Sequence, residues 1–214
     1  MTQPVPERVC LAMSGASGSL YAIHTLRMLV AAGVEVDLIV SPSAVRVLHE
    51  ETDYRYRGKP ADLLTEGQDA SLVTLHRHQD IGARPASGTS GPPVVLVVPC
   101  SLTTLAGIAA GSASNLTERA AQVALKEGRK LVLVPRETPL SRLHLDRMSS
   151  LAWAGAVILP ASPGFYHRPN SIEDLVDHVC AKILQVCGVP QDRVAAWDGG
   201  RVKPEPDAAD PAHE

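Results

Sequence analysis

The run PVVLVVP (Pro93–Pro99), followed at once by CSLTTLAG (Cys100–Gly107), decides the architecture. Five successive branched apolar residues, Val94 to Val98, leave no polar alternation, so neither face of this segment meets water. Strands of that kind lie inside parallel sheets covered by helices on both sides. Working outward, residues 8–13 and EVDLIV (35–40) read as short strands. A helix-length segment, 19–32, lies between them and is closed by Gly33. KLVLV (130–134) and GAVILP (155–160) are two more strands, and AVRVLHEE (44–51) is a second helix. Further helical patterns cover 102–110, 116–127, 139–154 and 171–187, the fourth-strand helix with Thr138 as cap and Pro139 in its first position. This alternation predicts an α/β fold: a three-layer, doubly wound, Rossmann-like or flavodoxin-like sheet, mainly parallel, in a single domain. That domain is expected over 1–197. Residues 198–214, rich in Pro, Asp and Ala, are expected to form a flexible tail. Residues 53–90 are irregular and read as an exposed excursion or lid.

The bulk numbers fit. The 214 residues are 45% hydrophobic and 20% charged, enough for a sizeable core, and only 3% aromatic, so that core rests on Val, Leu, Ile and Ala. A net charge of -3 argues against a nucleic-acid partner. No apolar run is long enough to span a bilayer, and MTQPVPERV is unlike a secretory leader. Cys10, Cys100, Cys180 and Cys187 form no CxxC and no zinc spacing; Cys180 and Cys187, two turns apart on one helical face, read as small core residues, and a reducing cytoplasm fits best.

In a doubly wound sheet the site lies at the carboxyl ends of the strands. The first end carries SGASGS (Ser14–Ser19), small residues that let backbone N–H groups approach an anion at a helix start. It lacks G-x-G-x-x-G, so a mononucleotide suits it better than a dinucleotide, and a merely structural turn is the alternative. The second end offers Ser41, as cap or ligand contact, with Glu51 closing the helix behind it; a solvated carboxylate is the plain reading of Glu51. The third places the hydroxyls of Ser101, Thr103 and Thr104 at a helix start, more than capping requires. On the next helix Arg119 and Lys126 stand seven residues apart on one face, with Val123 between. They suit either a phosphate or plain solvation. The fourth end holds Arg136 beside Glu137, an ion pair or site residues. The fifth gathers Phe165 and Tyr166 in one loop, scarce aromatics able to cover a flat ligand. SIED (171–174) is a capping box that opens a helix with an apolar stripe of Ile172, Leu175, Val176, Val179, Ile183 and Val186. Lys182 sits at the stripe's edge, able to snorkel or to face an anion. The sum is one anion-rich pocket.

GASG (15–18), PCSLTTLAGIA (99–109), NLTERAAQVALKEGRKLVLVPRETPLSRLHLDRM (115–148) and GAVILPASPGFYHRPNSIEDLVD (155–177) closely resemble the UbiX family of flavin prenyltransferases, over about residues 8–197. The resemblance implies an FMN-binding enzyme that uses no metal and assembles as a dodecamer. It joins a dimethylallyl group from dimethylallyl phosphate to N5 and C6 of reduced FMN, and its prenylated product serves UbiD-type decarboxylases. By the same resemblance Gly15, Ala16, Ser17, Ser41, Ser101, Leu102, Thr103, Thr104 and Arg136 contact FMN. Arg119, Lys126, Glu137, Tyr166 and Lys182 hold the donor's phosphate end, with Ser87 and Trp197 near the prenyl group. Ser17, Glu51 and Glu137 carry the chemistry. Lys182 stands where some members have arginine, and Ile81 where some carry tryptophan. The rival readings are an FMN-dependent cysteine decarboxylase, or a flavin carrier or accessory subunit without catalysis of its own.

Overall fold

The computed structural model describes residues 4–194. Six strands, β1 (Arg8–Met13), β2 (Glu35–Val40), β3 (Val73–His76), β4 (Val94–Cys100), β5 (Lys130–Pro135) and β6 (Val157–Ile158), form one sheet in the order β3-β2-β1-β4-β5-β6. Every pairing is parallel. Six helices connect and cover it: α1 (Ser19–Ala31), α2 (Pro42–Glu51), α3 (Leu102–Ala109), α4 (Leu116–Lys126), α5 (Arg142–Trp153) and α6 (Ile172–Cys187). This is the doubly wound, flavodoxin-like α/β fold expected.

The strands that read as continuously apolar are buried on both faces. Val94, Leu96 and Val98 of β4 join Leu11 and Met13 of β1 in a core under α1, α2 and α6. Val95, Val97 and Cys100 join Cys10 and Ala12 in a second core under α3, α4 and α5. Each buried Val or Leu contributes about 1.5–3 kcal/mol, so this double core is the main source of stability. All four cysteines lie in it, unpaired. Burial pushes the thiols of Cys100, Cys180 and Cys187 up to about 12, so they pack as small hydrophobes.

Three expectations are corrected. The irregular 53–90 segment contains a strand, β3, paired with β2 from Val36–Val73 to Ile39–His76. Thr138 and Pro139 do not open a helix: their peptide bond is cis, and α5 starts at Arg142, capped by Ser141, whose Oγ accepts the His144 N–H. Ile172, in the first turn of α6, faces solvent, whereas Val176, Val179 and Ile183 are buried. The 155–160 strand is short by pairing, yet Leu159 N–H and Ala161 N–H still donate to Leu133 and Pro135 carbonyls along β5.

One charge sits inside the sheet. Asp37 in the middle of β2 is fully buried on the face that α3 and α4 leave to the turn at Arg84–Ala86. Arg84 Nε donates to its Oδ2 at 3.1 Å, Arg84 also bonds Oδ1, and His76 Nε2 lies 2.8 Å from Oδ1. Arg8 adds a longer contact at 3.8 Å. Burial raises the Asp37 pKa, but the bonds from His76 and Arg84 outweigh it and hold the carboxyl below its usual value.

Candidate functional site

The strand order reverses direction between β1 and β4, and the crevice at their carboxyl ends is where such sheets bind ligands. Ser14 ties the two ends together. Its Oγ donates to the Pro99 carbonyl at 2.7 Å and accepts the Ser101 N–H at 2.7 Å, and its own N–H also reaches Pro99 O. Ser14 is the first polar side chain after an apolar strand, a signal that sequence reading passed over.

Three helices begin at this edge. Ser41 Oγ caps α2 by accepting the Ala44 N–H, and bonds Ser43 Oγ at 3.1 Å. Ser101 Oγ caps α3 through the Thr104 N–H and donates to Thr104 Oγ1. The start of α1 has no cap of its own at Gly18, which adopts φ 106. Glu51 supplies one from the far end of α2. Its carboxylate accepts Gly18 N–H at 2.9 Å, Ser19 N–H at 2.9 Å and Ser19 Oγ–H at 2.8 Å. Burial pushes Glu51 up, but bonds from Ser17, Ser19 and Gly18 prevail and hold its pKa below the ordinary carboxyl value. So the turn is an anion cradle, as one reading had it, but those donors hold the protein's own carboxylate. Glu51 is not simply solvated.

Arg136 reaches over from the end of β5, its Nε donating to the Ser17 carbonyl at 2.9 Å. Glu137 turns away and accepts the Thr138 N–H, so the two neighbours are not an ion pair. Gly15 lies so close to α2 that a Cβ there would come 2.5 Å from Ser43 Cβ and Oγ. Gly15→Ala is therefore expected to push the α2 start outward and weaken FMN retention by about tenfold or more, with the sheet intact; equilibrium dialysis with FMN checks it.

The carboxyl ends of β1, β2, β4 and β5 thus carry Gly15, Ala16, Ser17, Ser41, Ser101, Leu102, Thr103, Thr104, Arg136 and Glu137, and Glu51 reaches the first of them from the end of α2. Small residues, two capped helix starts and one guanidinium suit a flavin mononucleotide, whose phosphate favours such donors. Among the described residues no group of three metal-ligating side chains occurs.

The remaining candidates lie elsewhere. Tyr166 and Lys182 belong to the α6 side, with Tyr166 Oη 3.0 Å from His178 Nε2. Arg119 stands in the first turn of α4, in the opposite layer. Lys126, at the other end of α4, is exposed and paired with Glu127. Near it is the Ser87–Gly88 turn, whose carbonyls bond Arg129 just before β5. That is the amino edge of the sheet, a strand length of about 20 Å from Ser17. One chain therefore does not bring Lys126 and Ser87 to Tyr166 and Lys182. Ile81 is exposed. Trp197 lies outside the described residues. Sequence reasoning also missed Glu118. This buried carboxylate accepts from Ser112 Oγ, Ser114 Oγ and Ser114 N–H, and so folds the α3–α4 loop beside Arg119.

Comparison with known proteins gives the family and the fold. The flavoprotein family matches residues 2–184. The flavin prenyltransferase UbiX of Pseudomonas aeruginosa is 49% identical over 197 residues, covering 90% of this chain and 94% of that one. The crystal structure of AnUbiX in complex with FMN and dimethylallyl pyrophosphate superposes with a TM-score of 0.83 at 38% identity, covering 92% of this chain and 100% of that chain. A dodecameric FMN-dependent UbiX-like decarboxylase from Escherichia coli O157:H7 superposes with a TM-score of 0.82 at 39% identity, covering 90% and 100%.

Proposed function

We propose that this chain, which belongs to the flavoprotein family and within it to the flavin prenyltransferases, moves a dimethylallyl group from dimethylallyl phosphate to N5 and C6 of reduced FMN. The carrying observation is the crevice stitched by Ser14 between β1 and β4, where Arg136 is fastened to the Ser17 carbonyl. Reduced FMN, when bound, supplies the two nucleophilic atoms. The capped starts of α2 and α3 and Arg136 hold its phosphate, and Gly15 and Ala16 let the ring lie close. Ser17, whose side chain bonds Glu51, stands at the mouth of the turn and is the residue we assign to the neighbourhood of N5.

In the reaction the donor's allylic C–O bond breaks and the phosphate leaves with the electron pair. The allylic carbon replaces the N5 proton; the prenyl C=C bond then takes up a proton, its tertiary carbon bonds to C6, and the C6 proton is lost as the ring closes. Arg119, Lys126 and Lys182, with the Tyr166 hydroxyl, bind and stabilise the leaving phosphate, and Glu137 stands at the same end of the donor. Ser87 stands near the prenyl group. Because those residues are divided between the two helical layers and the far edge of the sheet, neighbouring copies of the chain complete the donor end, and a dodecamer is the assembly we assign. Trp153, 89% exposed on α5, and Phe165, 69% exposed, are the apolar surface such an assembly covers. The product serves a UbiD-type decarboxylase. Nothing in the site favours a cysteine decarboxylase or a bare flavin carrier, neither of which needs the phosphate-binding cations.

Anaerobic incubation with reduced FMN and dimethylallyl monophosphate is expected to raise the flavin's mass by one prenyl unit. No gain with either the monophosphate or the pyrophosphate would defeat the reading.

A further inference from the structure

The loop after β6 contains a side-chain cluster that the reaction does not yet explain. His178, on α6, accepts the Gly164 N–H at its Nδ1 at 3.3 Å, and its Nε2 lies 3.0 Å from Tyr166 Oη. His167 stacks on His178 with centroids 4.8 Å apart and planes 4° from parallel. The Tyr166 ring meets both imidazoles edge-on, at 5.6 Å and 5.4 Å. Gly164 makes room for this: a Cβ there would lie 2.9 Å from Tyr166 Cε1 and 3.3 Å from His178 Cε1. Arg168, two residues after Tyr166, is held at φ 53, a left-handed conformation that costs about 1–3 kcal/mol without glycine. A strained backbone and an obligatory glycine thus shape this loop around one phenol.

We infer that His178 is a positioning residue that sets the direction of the Tyr166 hydroxyl at the donor end of the site. The inference rests on the reading of Tyr166 as a donor-phosphate ligand. Because Nδ1 accepts from Gly164, a neutral ring carries its proton on Nε2 and donates it to Tyr166 Oη. The phenol's own proton must then donate away from His178, as a phosphate oxygen requires. Burial, then His167 and Lys182, hold the His178 imidazole below its ordinary pKa, so the ring is neutral near pH 7. Asp174, one helical turn before His178, is occupied by the Asn170 and Ser171 N–H groups.

His178→Phe keeps the ring and its stacking and deletes both hydrogen bonds. KM for dimethylallyl monophosphate is expected to rise about fivefold, the worth of one net hydrogen bond, with kcat and FMN affinity unchanged. Tyr166→Phe should raise KM at least as much, and the double variant should be no worse than Tyr166→Phe alone. His178→Gln, which keeps an N–H donor near the Nε2 position, should recover most of the loss. If His178→Phe does not fold, His178→Asn carries the same KM expectation, since it keeps an acceptor for Gly164 but is too short to reach Tyr166. Unchanged KM in the His178 variants, or additive losses in the double variant, overturns the positioning role while leaving Tyr166 as a ligand. Unchanged KM in Tyr166→Phe overturns both.

Discussion

Glu51→Gln is expected to lower prenyl transfer by about a hundredfold, the scale on which a preorganised electrostatic group at a developing charge acts. Glu51 is the one group that closes the first turn: Gly18 N–H, Ser19 N–H and Ser19 Oγ–H all point at it. An amide presents its own N–H2 to those donors, which leaves at least one N–H without an acceptor and loosens the backbone that carries Ser17. The charge matters as well, because the allylic carbon becomes cationic as the phosphate leaves. A carboxylate with so many donors is a poor base, however. Its pKa is lowered from 4.5, so it remains ionised at neutral pH. Its contribution is present above pH 4.5 and fades only as pH falls through the lowered folded value. The departing phosphate is the better acceptor for the C6 proton. In anaerobic single turnovers, then, Glu51→Gln should slow the whole conversion without build-up of flavin joined at N5 alone. Such build-up would assign proton removal to Glu51, and undiminished turnover would remove it from the chemistry.

The largest effect on stability is expected at Asp37. Asp37→Asn leaves Arg84 and His76 facing an amide inside the sheet. Removing one partner of a buried pair costs about 3–5 kcal/mol; Arg84 is partly exposed and relaxes toward water, so about 3 kcal/mol is expected here. For a chain of this size that lowers Tm by about 6–12 °C, read by thermal unfolding at one protein concentration. The folded carboxyl has a lowered pKa, so its stabilisation is fully present above its unfolded value of about 3.9 and is lost as pH falls through the folded one. The deficit of the variant should therefore hold from pH 7 to pH 5 and narrow below about pH 4. An unchanged Tm would mean that the cluster adds nothing.

What could be read beforehand was whatever a local pattern encodes. Five consecutive apolar residues in β4 announced a strand covered on both faces, and the strand–helix alternation announced the winding. The edge strand β3 escaped because it is four residues long and has Thr74 facing solvent, which leaves neither alternation nor an apolar run. The start of α5 was misplaced because Thr138–Pro139 and Ser141–His144 are both good local caps, and only the path out of β5 selects the second. Glu51 was indistinguishable from a solvated carboxylate because its partners lie 32 and 33 residues away. Arg136 and the Ser17 carbonyl are 119 apart. For the proposed donor end, the motif residues are strung from Ser87 to Lys182, and the layers that separate them appear only after folding.

The stitched and capped edge has a further meaning for ligand capture. Ser14, Ser41, Ser101 and Glu51 satisfy the strand ends and helix starts with the chain's own bonds. Much of the entropy of fixing these turns is therefore lost when the chain folds, not when a nucleotide arrives. FMN is thus expected to meet a largely preorganised receptor, with its arrival rate set by diffusion and orientation more than by a rearrangement of the protein.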